Sequence, residues 1–138
     1  MMRYLGLDLG RATIGLALAD DVLRTARALE TVRRTSEVAD FAALHRVAQD
    51  YEVTRAILGL PLNMDGTEGP SARLSRAFAT KVEASLGIPV HLFDERLSTF
   101  EAESRLREQG ISARAQRAII DAEAAAVILQ GWLDASEA

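Results

Sequence analysis

Three acidic residues stand in segments that the sequence predicts to be core elements, and together they could hold divalent metal ions. Asp8 lies in an apolar strand segment, Glu95 ends another, and Asp121 lies near the start of an apolar helical segment. Mutual repulsion among them would be severe unless a divalent cation neutralised it, and all-oxygen ligands suit Mg²⁺ or Mn²⁺. Two such ions roughly 3.5–4 Å apart can activate a water molecule and stabilise the leaving oxygen in phosphodiester cleavage.

Each acid also has a simpler explanation when it is taken alone. Asp8 precedes Gly10 and could form a turn through hydrogen bonds to the backbone. Glu95 could be an exposed strand-end acid that pairs with Arg96, and Asp121 could be favoured by the dipole at a helix N-terminus. The residues alone leave both explanations open, because the metal site requires a fold that brings the three acids together.

The composition is that of a single globular domain that covers residues 1–138. Apolar residues make up 49% and charged residues 26% of the chain, and the absence of cysteine excludes disulfides and thiolate metal sites. There is no signal-peptide pattern and no apolar run of the roughly 20 residues that span a bilayer. We therefore expect a cytoplasmic protein.

The charge balance limits the kind of nucleic-acid binding that the chain could perform. A net charge of −4 argues against a general binder of phosphate backbones, which uses an excess of Lys and Arg. Lys81 is the only Lys among the 16 cationic residues, and the arginine fork suits phosphate oxygens. The sequence is thus compatible with a local basic patch and equally with a compositional bias toward Ala and Arg.

Hydrophobic periodicity and turn residues predict an α/β fold. The predicted strands are 3–10, 14–19, 25–32, 55–59 and 89–95, and the predicted helices are 36–51, 70–86, 98–109 and 119–133. The first three strands should form an antiparallel meander, and helices that alternate with the last two strands should make those strands parallel. The expected architecture is a mixed five-stranded sheet flanked by helices.

Local patterns predict the buried sides of two helices and a ligand-binding loop. The apolar residues at helical spacing are Val38, Phe41, Leu44, Ala48 and Tyr51 in the first helix and Leu74, Ala77, Phe78, Val82 and Leu86 in the second. The loop 59–70 follows a strand at the end where open α/β sheets commonly bind ligands. Asn63 and Thr67 in this loop could contact a ligand or could only close turns.

Four motifs in a fixed order give the chain a specific resemblance to a known family. They are Asp8-Leu9-Gly10 with Ile14-Gly15-Leu16-Ala17, the loop from Gly59 to Thr67, Asp94-Glu95-Arg96-Leu97-Ser98-Thr99, and Asp121 followed by Ala124-Ala125 and Ile128-Leu129-Gln130. Over nearly its whole length the chain resembles the YqgF (RuvX-like) family. The resemblance implies an RNase H-like fold, shared with RuvC-type Holliday-junction resolvases. It also implies a hydrolase that cuts phosphodiester bonds to mature the 5′ end of 16S ribosomal RNA precursors.

The resemblance further implies the roles of individual residues and the partners of the protein. Asp8, Glu95 and Asp121 would be the catalytic ligands of two Mg²⁺ or Mn²⁺ ions. Contacts to the substrate would come from Arg11, Asn63, Arg96, Ser98, Thr99, Arg114 and Arg117. The expected partners are structured RNA, branched or duplex DNA and precursors of the ribosomal subunit. The protein is expected to be a monomer or a homodimer and not to associate with a membrane.

Departures from the family pattern keep two other functions open. The usual Thr-Lys-Arg after Asp-x-Gly is Arg11-Ala12-Thr13 here, and only Arg114 and Arg117 represent the usual basic residues before the last acid. This thinner basic surface leaves a non-catalytic RNA- or ribosome-associated factor as one alternative. A Holliday-junction or DNA nuclease is the other, although resolvases of the related type carry a further acid where this chain has Ala124.

Overall fold

The computed structural model describes residues 1–95 and 113–136, and the side chains of residues 113–119 lie outside that description. The strands are β1 (Arg3–Leu9), β2 (Thr13–Asp20), β3 (Arg27–Arg33), β4 (Arg55–Leu60) and β5 (Val90–Asp94). The helices are α1 (Glu37–Asp50), α2 (Pro70–Leu86) and α3 (Ala113–Ala135). The predicted helix 98–109 falls outside the described residues. Of the helices described, none has both the length and the apolar character that crossing a membrane requires.

The strands form one sheet in the order β3-β2-β1-β4-β5. β2 pairs antiparallel with both β1 and β3, whereas β4 pairs parallel with both β1 and β5. This pairing confirms the predicted mixed sheet with its antiparallel meander. Because β1, β4 and β5 run in the same direction side by side, their carboxyl ends meet at one edge of the sheet.

Two helical layers cover the two faces of the sheet. Leu5 and Leu7 of β1 are fully buried in the core cluster that includes Leu44 of α1. Tyr4 belongs to the core cluster on the other face, which includes Leu129 of α3. Successive side chains of β1 therefore alternate between the two layers, as the sequence predicted for a central strand.

The apolar stripe predicted for α1 is wrong at its two ends. Val38 is 83% exposed and Tyr51 is 37% exposed, whereas Leu44 is buried as predicted. In the first turn the inward position belongs to Asp40, whose carboxylate accepts a hydrogen bond from the backbone N–H of Thr35 at 3.0 Å. Val38 lies two residues before Asp40, about 200° around the helix, and therefore faces solvent.

The stripe predicted for α2 is wrong at Leu74, which is 69% exposed, and at Ala77, which is exposed too. Small residues take the inward positions in the first half of this helix, where Ala72 and Ser75 are buried. Leu74 lies two residues after Ala72 and so faces the opposite side of the helix. The apolar periodicity predicted that Leu74 lies in the core, whereas this half of the helix buries the small side chains of Ala72 and Ser75.

The predicted beginning of α1 and both predicted ends of α2 are confirmed. Ser36 caps α1, and its side-chain oxygen accepts a hydrogen bond from the backbone N–H of Ala39 at 3.1 Å. Pro70 begins α2, where a missing N–H costs no helical hydrogen bond. Gly87 ends α2 with φ of 71°, a left-handed conformation that glycine adopts without steric cost.

Candidate active site

Asp8 and Glu95 meet at the sheet edge where β1, β4 and β5 end. Asp8 is the second-to-last residue of β1, and Glu95 directly follows β5, where its backbone N–H donates to the Leu60 carbonyl at 3.1 Å. A hydrogen bond joins the two carboxyl groups. The intervening strand β4 carries Gly59, and a Cβ there would lie 2.1 Å from Glu95 Oε2. The missing side chain of Gly59 thus lets Glu95 reach across β4 toward Asp8.

The third predicted acid, Asp121, reaches the same edge from α3. Its Oδ2 accepts a hydrogen bond from the hydroxyl of Thr13, the first residue of β2. Gly15 pairs with Asp8 in the sheet, and a Cβ on Gly15 would lie 1.9 Å from the carbonyl oxygen of Asp121. The backbone of α3 therefore rests directly on β2, and the charge of Asp121 is close enough to affect the pKa of Asp8.

Burial and mutual repulsion raise the pKa values of the hydrogen-bonded pair. Burial raises the pKa of Asp8 to about 6, although the hydrogen bond with Glu95 opposes this rise and the charge of Asp121 adds to it. Burial, the charge of Asp8 and the shared hydrogen bond raise the pKa of Glu95 to about 8, with a further contribution from Asp94. Near neutral pH the pair therefore holds one proton, which Glu95 donates to the carboxylate of Asp8.

Without divalent metal ions, the free energy of unfolding should fall as the pH rises. The unfolded chain releases these two protons near the ordinary pKa values of 3.8 and 4.5, whereas the folded protein holds them to about 6 and about 8. Between the unfolded and the folded pKa values, the folded state binds more protons than the unfolded chain. The stabilisation that is fully present at low pH is therefore lost as the pH rises through about 6 and about 8. In EDTA, we expect a melting temperature several degrees higher at about pH 5.5 than at about pH 8.

Two variants check that this pH dependence comes from the acid pair. Asp8→Asn should reduce the difference in melting temperature between the two pH values, because Glu95 then lacks a charged neighbour at hydrogen-bond distance. Asp50→Asn makes the same chemical change at an exposed position of α1 and should leave the difference as in the wild type. Equal pH dependence in wild type and Asp8→Asn would contradict the assignment.

The donor set of this site fits a divalent cation such as Mg²⁺ or Mn²⁺. Oε2 of Glu95 is buried, and it has no hydrogen-bond partner among the described residues. Carboxylate oxygens are the ligands that these ions prefer. Within the part of the chain that is described, no three Asp, Glu or His side chains are arranged closely enough to hold one ion. Asp121 accepts a hydrogen bond from Thr13, and Asp8 and Glu95 are hydrogen-bonded to each other. A cation would therefore compete with these hydrogen bonds.

Of the residues predicted to contact the substrate, the structure describes the side chains of Arg11 and Asn63. Arg11 is exposed between β1 and β2, and it lines a cavity that Glu95 also lines. Asn63 is exposed, and its side-chain amide donates to the Thr67 hydroxyl at 3.0 Å, so that it closes its own loop. Arg96, Ser98 and Thr99 lie outside the residues that the structure describes. The side chains of Arg114 and Arg117 are not described either, although their backbone belongs to α3.

Sequence reasoning missed the residues that position the acids. Gly15 and Gly59 stand inside apolar strand segments, where glycine often marks the close approach of another chain segment, so this signal was present in the sequence. The contact of Thr13 with Asp121 spans 108 residues and had no comparable signal. These three residues leave room for the acids or hold them, and they belong to the site as much as the acids do.

Arg34 supports the turn that follows Asp8. Its guanidinium donates to the Gly10 carbonyl at 2.6 Å, and its backbone N–H donates to the Ala12 carbonyl at 2.9 Å. The carboxylate of Asp40 lies 3.9 Å from the same guanidinium. The turn between β1 and β2 is therefore attached to the start of α1, which limits the movement of Asp8.

The strand order, with acids at the carboxyl ends of β1 and β5, is that of the RNase H-like fold. The structure of RuvC from Thermus thermophilus in complex with a Holliday junction substrate has a TM-score of 0.63 and 18% sequence identity, covering 99% of this chain and 96% of that one. A Fowlpox virus resolvase with Holliday junction DNA has a TM-score of 0.62 and 10% identity, covering 98% and 99%. At these identities the likeness establishes the fold.

This chain belongs to the RuvX family, which is described as Holliday junction resolvase and matches residues 2–135. Two curated relatives bear the name "Putative pre-16S rRNA nuclease". The protein from Anaeromyxobacter dehalogenans strain 2CP-1 is 72% identical over 133 residues, covering 96% of this chain and 97% of the relative. The protein from Myxococcus xanthus strain DK1622 is 56% identical over 134 residues, covering 97% and 89%. The family predicted from the motifs is confirmed.

Proposed function

We propose that this protein is a metal-dependent nuclease that hydrolyses phosphodiester bonds in the maturation of the 5′ end of pre-16S ribosomal RNA. The observation that carries the proposal is the hydrogen-bonded pair of Asp8 and Glu95, with Asp121 nearby in α3. Membership of the RuvX family supports a hydrolase that acts on nucleic acid. The name of a relative with 72% identity supports ribosomal RNA as the substrate. A cytoplasmic location is part of the same proposal.

The three acids are the residues that would hold the divalent ions, which nucleases of the RuvC-like fold generally use. When bound, Mg²⁺ or Mn²⁺ supplies the positive charge that makes a water molecule nucleophilic and stabilises the leaving oxygen. Bound to a cation, Glu95 would have to be deprotonated, because a cation and a proton compete for the same carboxyl oxygens. If two neighbouring carboxyl groups bind one cation, this competition predicts that their pKa values are raised when the metal is absent, as they are for Asp8 and Glu95.

The remaining parts of the chain orient these groups. The hydroxyl of Thr13 holds the carboxylate of Asp121 toward the sheet edge. Arg34 fixes the turn after Asp8 through the Gly10 carbonyl. Arg11 is exposed, lines the same cavity as Glu95 and carries a guanidinium, which suits a phosphate oxygen of the substrate.

One buried residue disfavours the alternative of a junction resolvase. The position one helical turn after Asp121, where a fourth acid would stand, is Ala124, which is 1% exposed. An acid there would be buried in the contact between α3 and the sheet, where an unpaired charge is costly. This speaks against simple equivalence to a resolvase, and the preference for RNA rests on the name of the relative with 72% identity.

A cleavage assay with three substrates tests the proposed function. End-labelled pre-16S RNA that includes the 5′ junction, duplex DNA of similar length and a four-way DNA junction are incubated with the full chain in Mg²⁺, in Mn²⁺ or in EDTA. We expect cutting of the RNA that requires a divalent ion and that Asp8→Asn loses. Symmetric cutting of the junction alone would instead support a resolvase. No cleavage of any substrate would contradict the nuclease and support an RNA-associated factor.

A further inference from the structure

A cavity of about 650 Å³ lies on the face of the sheet that α1 and α2 cover, and of the three acids only Glu95 lines it. Glu95 lines this cavity and is also one of the three acids of the candidate active site. The other walls come from the ends of β1 and β4, the beginning of α1 and one side of α2. A ligand in the cavity would therefore contact Glu95 at the edge of the proposed active site.

The apolar part of the wall is a stacked pair of aromatic rings. The ring centroids of Phe41 in α1 and Phe78 in α2 are 5.6 Å apart, and the ring planes make an angle of 21°. Both side chains are half-buried, and both line the cavity together with the exposed Leu74. Exposed aromatic rings are the surfaces on which proteins stack the bases of single-stranded nucleic acids.

The charged residues of the wall mostly occur as pairs of opposite sign. Lys81 bonds to Glu37 at 2.8 Å, and the Arg34 guanidinium lies 3.9 Å from the Asp40 carboxylate. The opposite charges within each pair cancel, but the side chains still offer hydrogen-bond donors and acceptors. Such groups can hydrogen-bond to the polar edge of an uncharged base. Arg11 forms no ion pair with an acid of the described residues, and its charge suits the phosphate that joins this base to the next nucleotide.

The size of the cavity restricts what it can hold. Pockets for single small molecules have volumes of roughly 300–1,000 Å³, and this cavity lies within that range. One nucleotide fits such a volume, whereas a base pair within a continuous duplex cannot enter it without unpairing. The cavity therefore favours a nucleotide that is already unpaired or that unpairs at low cost.

We propose that this cavity binds one unpaired nucleotide of the substrate strand, next to the bond that is cut. Its base lies against Phe41 and Phe78, and its phosphate lies beside Arg11. This inference rests on the proposed nuclease function, and it adds that the enzyme selects a single-stranded nucleotide adjoining the cleavage site. A substrate with an unpaired extension is then preferred to a continuous duplex.

A binding measurement tests the site separately from catalysis. The probe is a single-stranded RNA hexamer that contains 2-aminopurine, and its fluorescence is titrated with the full chain in EDTA, where no metal-dependent cleavage occurs. Stacking of the probe on an aromatic ring should quench its fluorescence. Leu74→Asp places a negative charge in the wall without disturbing the core, and we expect it to weaken binding about tenfold, the scale of one lost base-stacking contact.

Val38→Asp is the matched control, because it makes a similar change at an exposed residue of α1 that does not line the cavity. This variant should bind the hexamer as the wild type does. Phe78→Leu retains an apolar side chain but removes the flat ring, so it should reduce the quenching. Wild-type affinity and quenching in both Leu74→Asp and Phe78→Leu would overturn the proposed nucleotide site.

The outcomes also separate this site from the proposed function. If the wild type cuts RNA and loses activity with Asp8→Asn, but Leu74→Asp cuts extended and fully paired substrates at wild-type rates, the nucleotide site is wrong and the nuclease stands. If no substrate is cut but the hexamer binds with the expected dependence on Leu74, the nuclease is wrong and the nucleotide site stands.

Discussion

Asp8→Asn, Glu95→Gln and Asp121→Asn should each lower the rate of RNA cleavage by about a thousandfold or more. In the proposed mechanism each substitution removes an oxygen ligand of the divalent ions, and a loss of about 4 kcal/mol of transition-state stabilisation corresponds to that factor. The three acids come from separate parts of the fold, Asp8 from β1, Glu95 after β5 and Asp121 from α3, so we expect that the others do not replace a missing one. The measurement is the initial rate of cleavage at saturating Mg²⁺.

Two controls distinguish a catalytic loss from unfolding. Glu52→Gln makes the same change as Glu95→Gln at an acid that pairs with Arg3, at the opposite end of the sheet, and it should cut at the wild-type rate. The metal-free stability of Asp8→Asn should be unchanged or higher than that of the wild type, because the substitution relieves repulsion within a buried pair. Wild-type turnover in Asp8→Asn, Glu95→Gln or Asp121→Asn would show that the three-acid site is wrong.

Gly15→Ala should cost both stability and activity, although glycine 15 contacts no substrate in the proposed mechanism. The added Cβ would lie 1.9 Å from the carbonyl oxygen of Asp121 and 2.9 Å from the backbone nitrogen of Ala122. These are backbone atoms of α3 and cannot rotate away, so the helix must shift. We expect a loss of about 3 kcal/mol in the free energy of unfolding, at the upper end of the usual cost of overpacking. A shift of Asp121 by about 1 Å should also lower the cleavage rate about a hundredfold.

Gly69→Ala is the matched control for this substitution. A Cβ on Gly69 would lie 3.3 Å from the side-chain oxygen of Asn63, in an exposed loop whose side chains can adjust. The cost should stay near about 1 kcal/mol, since alanine is a poorer N-cap for α2 than glycine. Chemical denaturation and the cleavage assay measure both variants. Gly15→Ala with the stability and activity of the wild type would show that the contact between β2 and α3 is looser than described.

Local sequence signals were reliable where the structure depends on neighbouring residues. Ser36, Pro70 and Gly87 begin or end helices for reasons of capping and backbone conformation that act within a few residues. The alternation of β1 between two buried faces follows from the period of a strand. The mixed sheet followed from the order of these elements, because strands joined by helices become parallel.

The buried faces of α1 and α2 could not be predicted from periodicity alone. Val38 and Leu74 fit an apolar stripe, yet both are exposed. The inward positions beside them belong to Asp40 and Ser75, which the tertiary structure buries. A helix shows its own period in the sequence, but its rotation about its axis depends on the surface against which it packs.

The acids themselves were evident as residue types in unusual places, and the motifs indicated their family. The sequence by itself determined the order of strands and helices, the ends of two helices and the identity of the three acids, since these depend on local conformation and side-chain chemistry. Only the tertiary structure decided that the carboxyl groups of Asp8 and Glu95 meet across Gly59 and that Thr13 holds Asp121. Those contacts join residues far apart in the chain, and their distances are set by how closely the strands and α3 pack.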